Sequence, residues 1–337
     1  PYCDFNAHAG RDGDMDAYAD ALLTEASSRL TGHGLDTLYV GGGTPTYGDA
    51  RRIARILREL REAAGGSIGE LTVEANPGSL TEETVALLLD AGVDRVSVGA
   101  QTFETRHLTT LGRIHESADI GRAVDRLRRG GIPRVSLDLI LAIPGQTLGE
   151  QARDVSRLVA LAPEHVSAYV LTIEAGTSFA RWVERGRLPP PDDERDLAHL
   201  HVVVEQLKAA GYARYEISNF ARPGEASRHN LAYWRDADWV GLGAGAHSHV
   251  AGRRWKNVDD PAAYARAIHA EGAAVEWTET PTPDVALFDA LMMGLRLVEG
   301  VDMAYLARRF GIDPRDRHAE AIERHVRDGL LRVDGSR

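Results

Sequence analysis

The sequence predicts an α/β chain: a partial parallel (β/α)6 barrel, followed by a small C-terminal helical, winged-helix-like module. Three observations predict it. Short β-branched runs alternate with amphipathic stretches over the first 220 residues, and strand followed by helix, repeated, implies a parallel sheet. The strand runs look apolar, as in sheets covered on both faces. Polar or glycine-bearing motifs follow nearly every strand end, which suits the C-terminal rim of a barrel better than a dinucleotide-binding sheet.

The elements follow in order. Asp36 to Val40 reads as a strand that stops at Gly41-Gly42-Gly43, and Arg51 to Ala64 continues with helical spacing at Ile53, Ile56, Leu57 and Leu60. Leu71 to Glu74 is a second strand, ended by Asn76-Pro77-Gly78, before a helix from Thr81 to Ala91. Arg95 to Gly99 is the third strand, with a helix from Ile120 to Gly130 after it. Val135 to Ala142 is the fourth, ended by Pro144-Gly145, and His165 to Leu171 the fifth, followed by a long polar loop. Leu197 to Ala210 is helical, and Tyr215 to Ser218 is the expected sixth strand. The domain boundaries expected are 1–220 for the partial barrel, 221–280 for a Gly-, His- and Trp-rich site-forming connection, and 281–337 for the C-terminal module, with a helix break at Gly311 and a closing Leu330-Leu331-Arg332-Val333 run.

Composition narrows the function classes. The 337 residues carry a net charge of −11, which argues against a nucleic-acid backbone as partner. No apolar run approaches the roughly 20 residues that span a bilayer. A single cysteine excludes an internal disulfide framework and fits a reducing, cytoplasmic compartment. The first residue is proline, so the native N-terminus is expected to lie upstream.

Several motifs carry chemistry. Cys3 stands in Pro1-Tyr2-Cys3-Asp4-Phe5-Asn6; by itself it reads as a small buried or surface thiol. Gly41-Gly42-Gly43-Thr44 lets backbone approach a ligand, or makes a tight turn; neither GxxxxGK nor GxGxxG is present, which weighs against a phosphate loop. Glu74 and Gln101 close the next two strands, and Asp138 sits inside an apolar one, where it needs hydroxyls, amides or a cation. Four polar groups on four successive strands near one rim point to a shared site.

Together these motifs resemble the radical S-adenosylmethionine (SAM) heme chaperones of HemW type, which are similar to oxygen-independent coproporphyrinogen III oxidases. The matching runs are Tyr2 to Asn6, Gly41 to Pro45, Glu74 to Pro77, Gly99 through Gln101 to Arg113, Asp138 through Pro144 to Thr147, Leu171 to Glu174 and Tyr215 to Phe220, nearly the whole chain. The resemblance implies a radical SAM barrel, a [4Fe–4S] cluster held by a CxxxCxxC set, and SAM. Cys3 matches the third cysteine; the other two, and the first barrel strand, are expected upstream of Pro1. By the same matching, Gly42, Gly43 and Thr44 line the methionine end of SAM. Glu74, Gln101, Arg113 and Asp138 contact its polar groups, Tyr2 lies beside the adenine, and Thr172 is a weaker match. His229-Asn230-Leu231-Ala232-Tyr233-Trp234 matches the HNxxYW element associated with heme, with His229 as axial ligand and Tyr233 and Trp234 against the porphyrin. His247 and His249 are further candidate ligands. The implied partners are heme and heme-recipient proteins, with peripheral membrane association through those recipients. Oxidative decarboxylation of coproporphyrinogen III is the competing activity, which leaves open whether the chain is an enzyme.

Overall fold

A computed structural model describes residues 2–3, 10, 12–65 and 67–335. Pro1 and residues 4–6 of the opening motif lie outside the described residues, as do residues 336–337 of the C-terminal module. Two compact units form: Pro1–Arg214 with Ser218–Ser227, and Tyr215–Ile217 with Arg228–Arg337.

The first unit is built on one sheet. Its strands are β1 Thr37–Val40, β2 Glu70–Ala75, β3 Arg95–Gln101, β4 Arg134–Leu141, β5 His165–Val170, β6 Ala213–Arg214 and β7 Asn219–Ala221, in the order β1-β2-β3-β4-β5-β7-β6. The first five strands run parallel. The expected sixth strand is corrected: Tyr215–Ser218 is not a strand; the short β7 that follows it pairs antiparallel with β5, and the short β6 before it pairs antiparallel with β7, so β6 runs in the direction of β5. Tyr215–Ile217 belong instead to the second unit, where the Glu216 backbone bridges to Leu297.

The helices of this unit are α1 Met15–Leu30, α2 Ala50–Ala63, α3 Glu82–Asp90, α4 Thr105–Thr110, α5 Ser117–Arg129, α6 Leu148–Ala160, α7 Ser178–Glu184 and α8 Asp193–Ala209. Their starts are written locally. Thr81 caps α3 through Thr84 N at 3.1 Å. Thr147 and Glu150 form a reciprocal capping box on α6.

Strand parity decides what the sheet offers. Successive side chains point to opposite faces. One face carries Leu71, Val73, Ala75, Val96, Val98, Leu137, Leu139, Val166 and Ala168, which pack with Leu57, Leu88, Ile120, Leu158 and Val203 of the helices into the main core. The register sets Tyr39 beside Thr72, Glu74 beside Ser97 and Asp138 beside Ser167 on the other face. That face is buried but polar: Glu70, Thr72, Arg95, Ser97, Ser136, His165 and Ser167 are all buried there. The strands are therefore covered on both faces, as expected, yet only one of the two is apolar.

The second unit carries α9 Arg228–Trp234, β8 His247–Val250, β9 Arg253–Asn257, α10 Pro261–Glu271, β10 Val275–Glu279, α11 Pro283–Gly294, α12 Met303–Phe310, α13 Pro314–Arg317 and α14 Ala319–Arg327. The stretch 221–280 contains an antiparallel sheet in the order β10-β9-β8, which its weak periodicity hid. Leu287, Ala290 and Leu306 pack α11 against α12. Gly311 ends α12 in the left-handed conformation, at φ 70°, where a Cβ would be strained. Among the described residues from 281 onward the elements are helical, and the Leu330–Val333 run forms no strand. No helix among the described residues is long and apolar enough to cross a membrane.

Candidate functional site

The C-terminal ends of β1 to β4 bring most of the expected rim residues together. Glu74 anchors the group. Tyr39 donates its hydroxyl to Glu74 Oε1 at 2.5 Å, and the Gly42 amide donates to Glu74 Oε2 at 3.2 Å. The carboxylate lies so close to the loop that a Cβ on Gly41 would stand 2.8 Å from Glu74 Oε1, closer than real contacts allow. Gly42 has φ 117°, a backbone state that glycine adopts without cost. Burial raises the Glu74 pKa, while the bonds from Tyr39 and Gly42 pull against it.

Asn76 ties three loops. Its Nδ2 donates to Thr44 Oγ1 at 2.8 Å, and its Oδ1 accepts from Arg113 Nη1 at 3.0 Å. Arg113 also donates to the Tyr2 hydroxyl. Tyr2 leans on Phe179 with ring centroids 6.3 Å apart, at the edge of a small core of Leu111, Ile140, Ile143 and Phe179. Cys3, next to it, is exposed. The buried His115 steadies the Arg113 segment by donating from Nε2 to the Ala100 carbonyl at 3.3 Å.

Asp138 occupies the middle of the polar face. It accepts from Ser97 Oγ at 3.0 Å and from the Ser167 hydroxyl. Burial, reinforced by the nearby Glu74 charge and opposed by the two serines and Arg113, pushes its pKa up to about 7. Gln101 ends β3 at φ 65° and folds back: its Nε2 lies 2.7 Å from where a Cβ on Gly99 would sit, near Asn76 Oδ1. Gly43 is exposed beside Gly42. Thr172, two residues past β5, is exposed and takes no part in these hydrogen bonds.

Sequence reasoning missed Tyr39, Ser97 and Ser167, and passed over Asn76 as part of a turn. The signal was available in the period of two: Tyr39 shares its face with Thr72 and Glu74, and Ser97 and Ser167 with Asp138.

The donor set fits SAM. A sulfonium cation with a ribose and an amino-acid end calls for carboxylates, an amide and free backbone groups, and two desolvated carboxylates at one rim are costly unless a cation or hydroxyls meet them. The cluster is different. Cys3 is the single cysteine in the chain, no group of three or more His, Cys, Asp or Glu side chains gathers among the described residues, and the residues present do not complete a three-thiolate set.

The second unit holds the histidine segment. His229 and Tyr233 meet edge to face, with centroids 4.9 Å apart. Tyr233 meets Trp239 at 4.8 Å, and Trp239 meets His249 at 4.9 Å. The buried His249 points Nδ1 at Asp236 Oδ1, 3.5 Å away, and Arg309 Nη2 lies 2.9 Å from Asp236 Oδ2. His247 is exposed and touches Trp277, with centroids 5.9 Å apart. Trp234 packs instead under the Arg296 guanidinium, 4.6 Å from its ring centroid.

Comparison with known proteins places the chain in a family. The radical SAM superfamily model matches residues 1–158, and the HemN C-terminal domain model matches 282–337. The heme chaperone HemW of Bacillus subtilis is 35% identical over 315 residues, covering 92% of this chain and 83% of the relative. That of Mycobacterium tuberculosis (strain ATCC 25618 / H37Rv) is 38% identical over 344 residues, covering 100% and 86%. The Escherichia coli (strain K12) HemW is 35% identical, covering 89% and 79%. Among solved structures, the coproporphyrinogen III oxidase of Escherichia coli superposes with a TM-score of 0.85 at 24% identity, over 99% of this chain and 82% of its own. That likeness shows the radical SAM fold. On identity and coverage of this order, this chain belongs to the HemW family of radical SAM heme chaperones.

Proposed function

We propose that this chain binds heme at the His229 segment and hands it to recipient proteins, while SAM is held at the rim of β1 to β4. The single observation that carries the heme reading is the aromatic file His229–Tyr233–Trp239–His249, with ring centroids 4.9, 4.8 and 4.9 Å apart. It gives imidazoles beside flat apolar rings, the combination a porphyrin needs. The partially exposed His229 is the candidate axial ligand, with His247 and His249 behind it. Family membership supports the same reading.

At the rim, Glu74 and Asp138 would meet the cationic and hydroxyl parts of SAM, with Asp138 toward the ribose and Thr44 and Gly42 toward the methionine end. Tyr39 and Gly42 hold the Glu74 carboxylate in one orientation; Ser97 and Ser167 do the same for Asp138. Gln101 and Arg113 complete the wall through Asn76. SAM held there by Glu74, Asp138 and the Gly42 loop would supply radical chemistry as a cofactor. The recipients are proteins that take up heme, and a cytoplasmic chaperone would reach membrane-bound ones by peripheral association.

A heme titration of wild type and His229→Ala tests this. The variant is expected to shift the Soret band and lose at least tenfold in affinity with its circular dichroism unchanged. Unaltered spectrum and affinity would remove His229 from the site. Full-length, cluster-loaded protein that binds no heme but converts coproporphyrinogen III with SAM would replace the chaperone reading by the oxidase one.

A further inference from the structure

We propose that Asp154 is a positioning residue for the rim site: its buried carboxylate clamps the strained turn that aims Gln101. The proposal rests on the reading of that rim as the SAM site.

Asp154 lies on α6 and is fully buried. Its two oxygens reach two different loops. Oδ1 accepts from Phe103 N at 2.8 Å; Oδ2 accepts from Thr102 Oγ1 at 2.7 Å and from Gln146 Nε2 at 3.1 Å. Gln146 passes the constraint on, accepting from Ile143 N at 3.1 Å through Oε1. Thr102 Oγ1 in turn accepts from Glu104 N at 3.1 Å.

The residues preceding these contacts are the strained ones. Gln101 has φ 65° and Ala142 φ 56°. Both are non-glycine residues in left-handed backbone, which persists only where the surroundings over-determine it. Around Gln101, Thr102 N donates to Ala100 O at 2.8 Å, an i to i+2 closure with positive φ at the centre. That is the rare, strained form of the γ-turn. The turn is what sends the Gln101 amide back over Gly99 toward Asn76 rather than onward with the strand. One carboxylate thus secures the ends of both β3 and β4, although it touches neither Gln101 nor any group placed against SAM.

Relaxing the clamp would let Gln101 leave its position with the core intact. Asp154→Asn puts an amide donor opposite one of the three donors that the carboxylate now accepts. At pH 8 the native group, which burial pushes up to about 6, is ionised and accepts at both oxygens.

SAM affinity, measured at pH 8 by calorimetry on cluster-loaded full-length protein, tests this in a double-mutant cycle with Gln101→Ala. Asp154→Asn is expected to weaken SAM at least tenfold in the native background and less than twofold in the Gln101→Ala background. Thr102→Val, which removes one donor and keeps the carboxylate, is expected to show the same pattern more weakly, and serves if Asp154→Asn fails to fold. Leu158→Ala, a core truncation on the same helix, should lower stability and leave SAM affinity unchanged. Equal, additive losses in both backgrounds, or a matching loss from Leu158→Ala, would overturn the positioning role. Gln101→Ala that binds SAM like wild type would overturn the rim reading itself.

Discussion

The Tyr39 hydroxyl lies 2.5 Å from Glu74 Oε1, joining β1 to β2 across 35 residues of chain. The contact holds a desolvated carboxylate in place. Tyr39→Phe should therefore leave Glu74 with one fewer donor and weaken SAM binding about tenfold, since a bond to a charged group contributes about 1.5 kcal/mol. Glu74→Gln should cost more. Equal affinity in Tyr39→Phe and wild type by calorimetry would show that the hydroxyl does not orient the carboxylate.

Asp138 makes stability depend on pH in a stated direction. Burial pushes its pKa up to about 7, against about 3.9 in an unfolded chain. The folded state therefore binds the extra proton between pH 4 and 7. Its contribution to stability is complete below about pH 4 and is lost as pH rises through about 7. Asp138→Asn should stabilise the protein at pH 8 by about 1 kcal/mol or more and have little effect near pH 4. Denaturant titrations at the two pH values check this; an equal effect at both would show that the group is not shifted.

SAM binding should follow the same group with the opposite sense. The ligand is cationic, so its affinity should rise between pH 6 and 8 as Asp138 ionises. In Asp138→Asn that rise should flatten. A rise of the same size in the variant would assign the titration elsewhere.

The far end of the polar face makes a stability prediction. Glu70 and Arg95 are both buried and pair at 3.1 Å; Arg134 lies 3.7 Å from the same carboxylate, and Ser227 Oγ donates to its other oxygen at 3.2 Å. Glu70→Ala would strand the Arg95 guanidinium and should cost about 3–5 kcal/mol. Replacing Glu70 and Arg95 together by Gln and Met should cost much less. A double variant as unstable as Glu70→Ala would show that the loss comes from packing rather than from the unpaired charge.

Some of this was legible in the chain and some was not. Strand–helix repetition announced five parallel strands, because each buries Val, Leu or Ile against a helix that follows it at fixed period. Thr81 and Gly311 marked helix ends by chemistry that acts within four residues. The opening motif, the glycine loop and the HNxxYW run carried the family, since their side chains are set by what they would bind. Such signals are local, and a linear sequence displays them.

Only the tertiary structure decided which groups meet. Nothing near Tyr39 in sequence says that Glu74 lies against it, and nothing near Asp154 says that it reaches Thr102, Phe103 and Gln146 at once. These contacts depend on strand register, and a shift of one residue would turn each polar side chain to the helix-covered face. The same holds for the end of the sheet, where Tyr215–Ser218 looked like a sixth parallel strand and proved to be the connection between two short strands that pair antiparallel with each other. The chain determined which segments become strands and helices through local periodicity; the meeting of Glu74 with Tyr39 and of Asp138 with Ser97 and Ser167 came from the packing of those segments, because hydrogen bonds between distant strands exist only once the register is set.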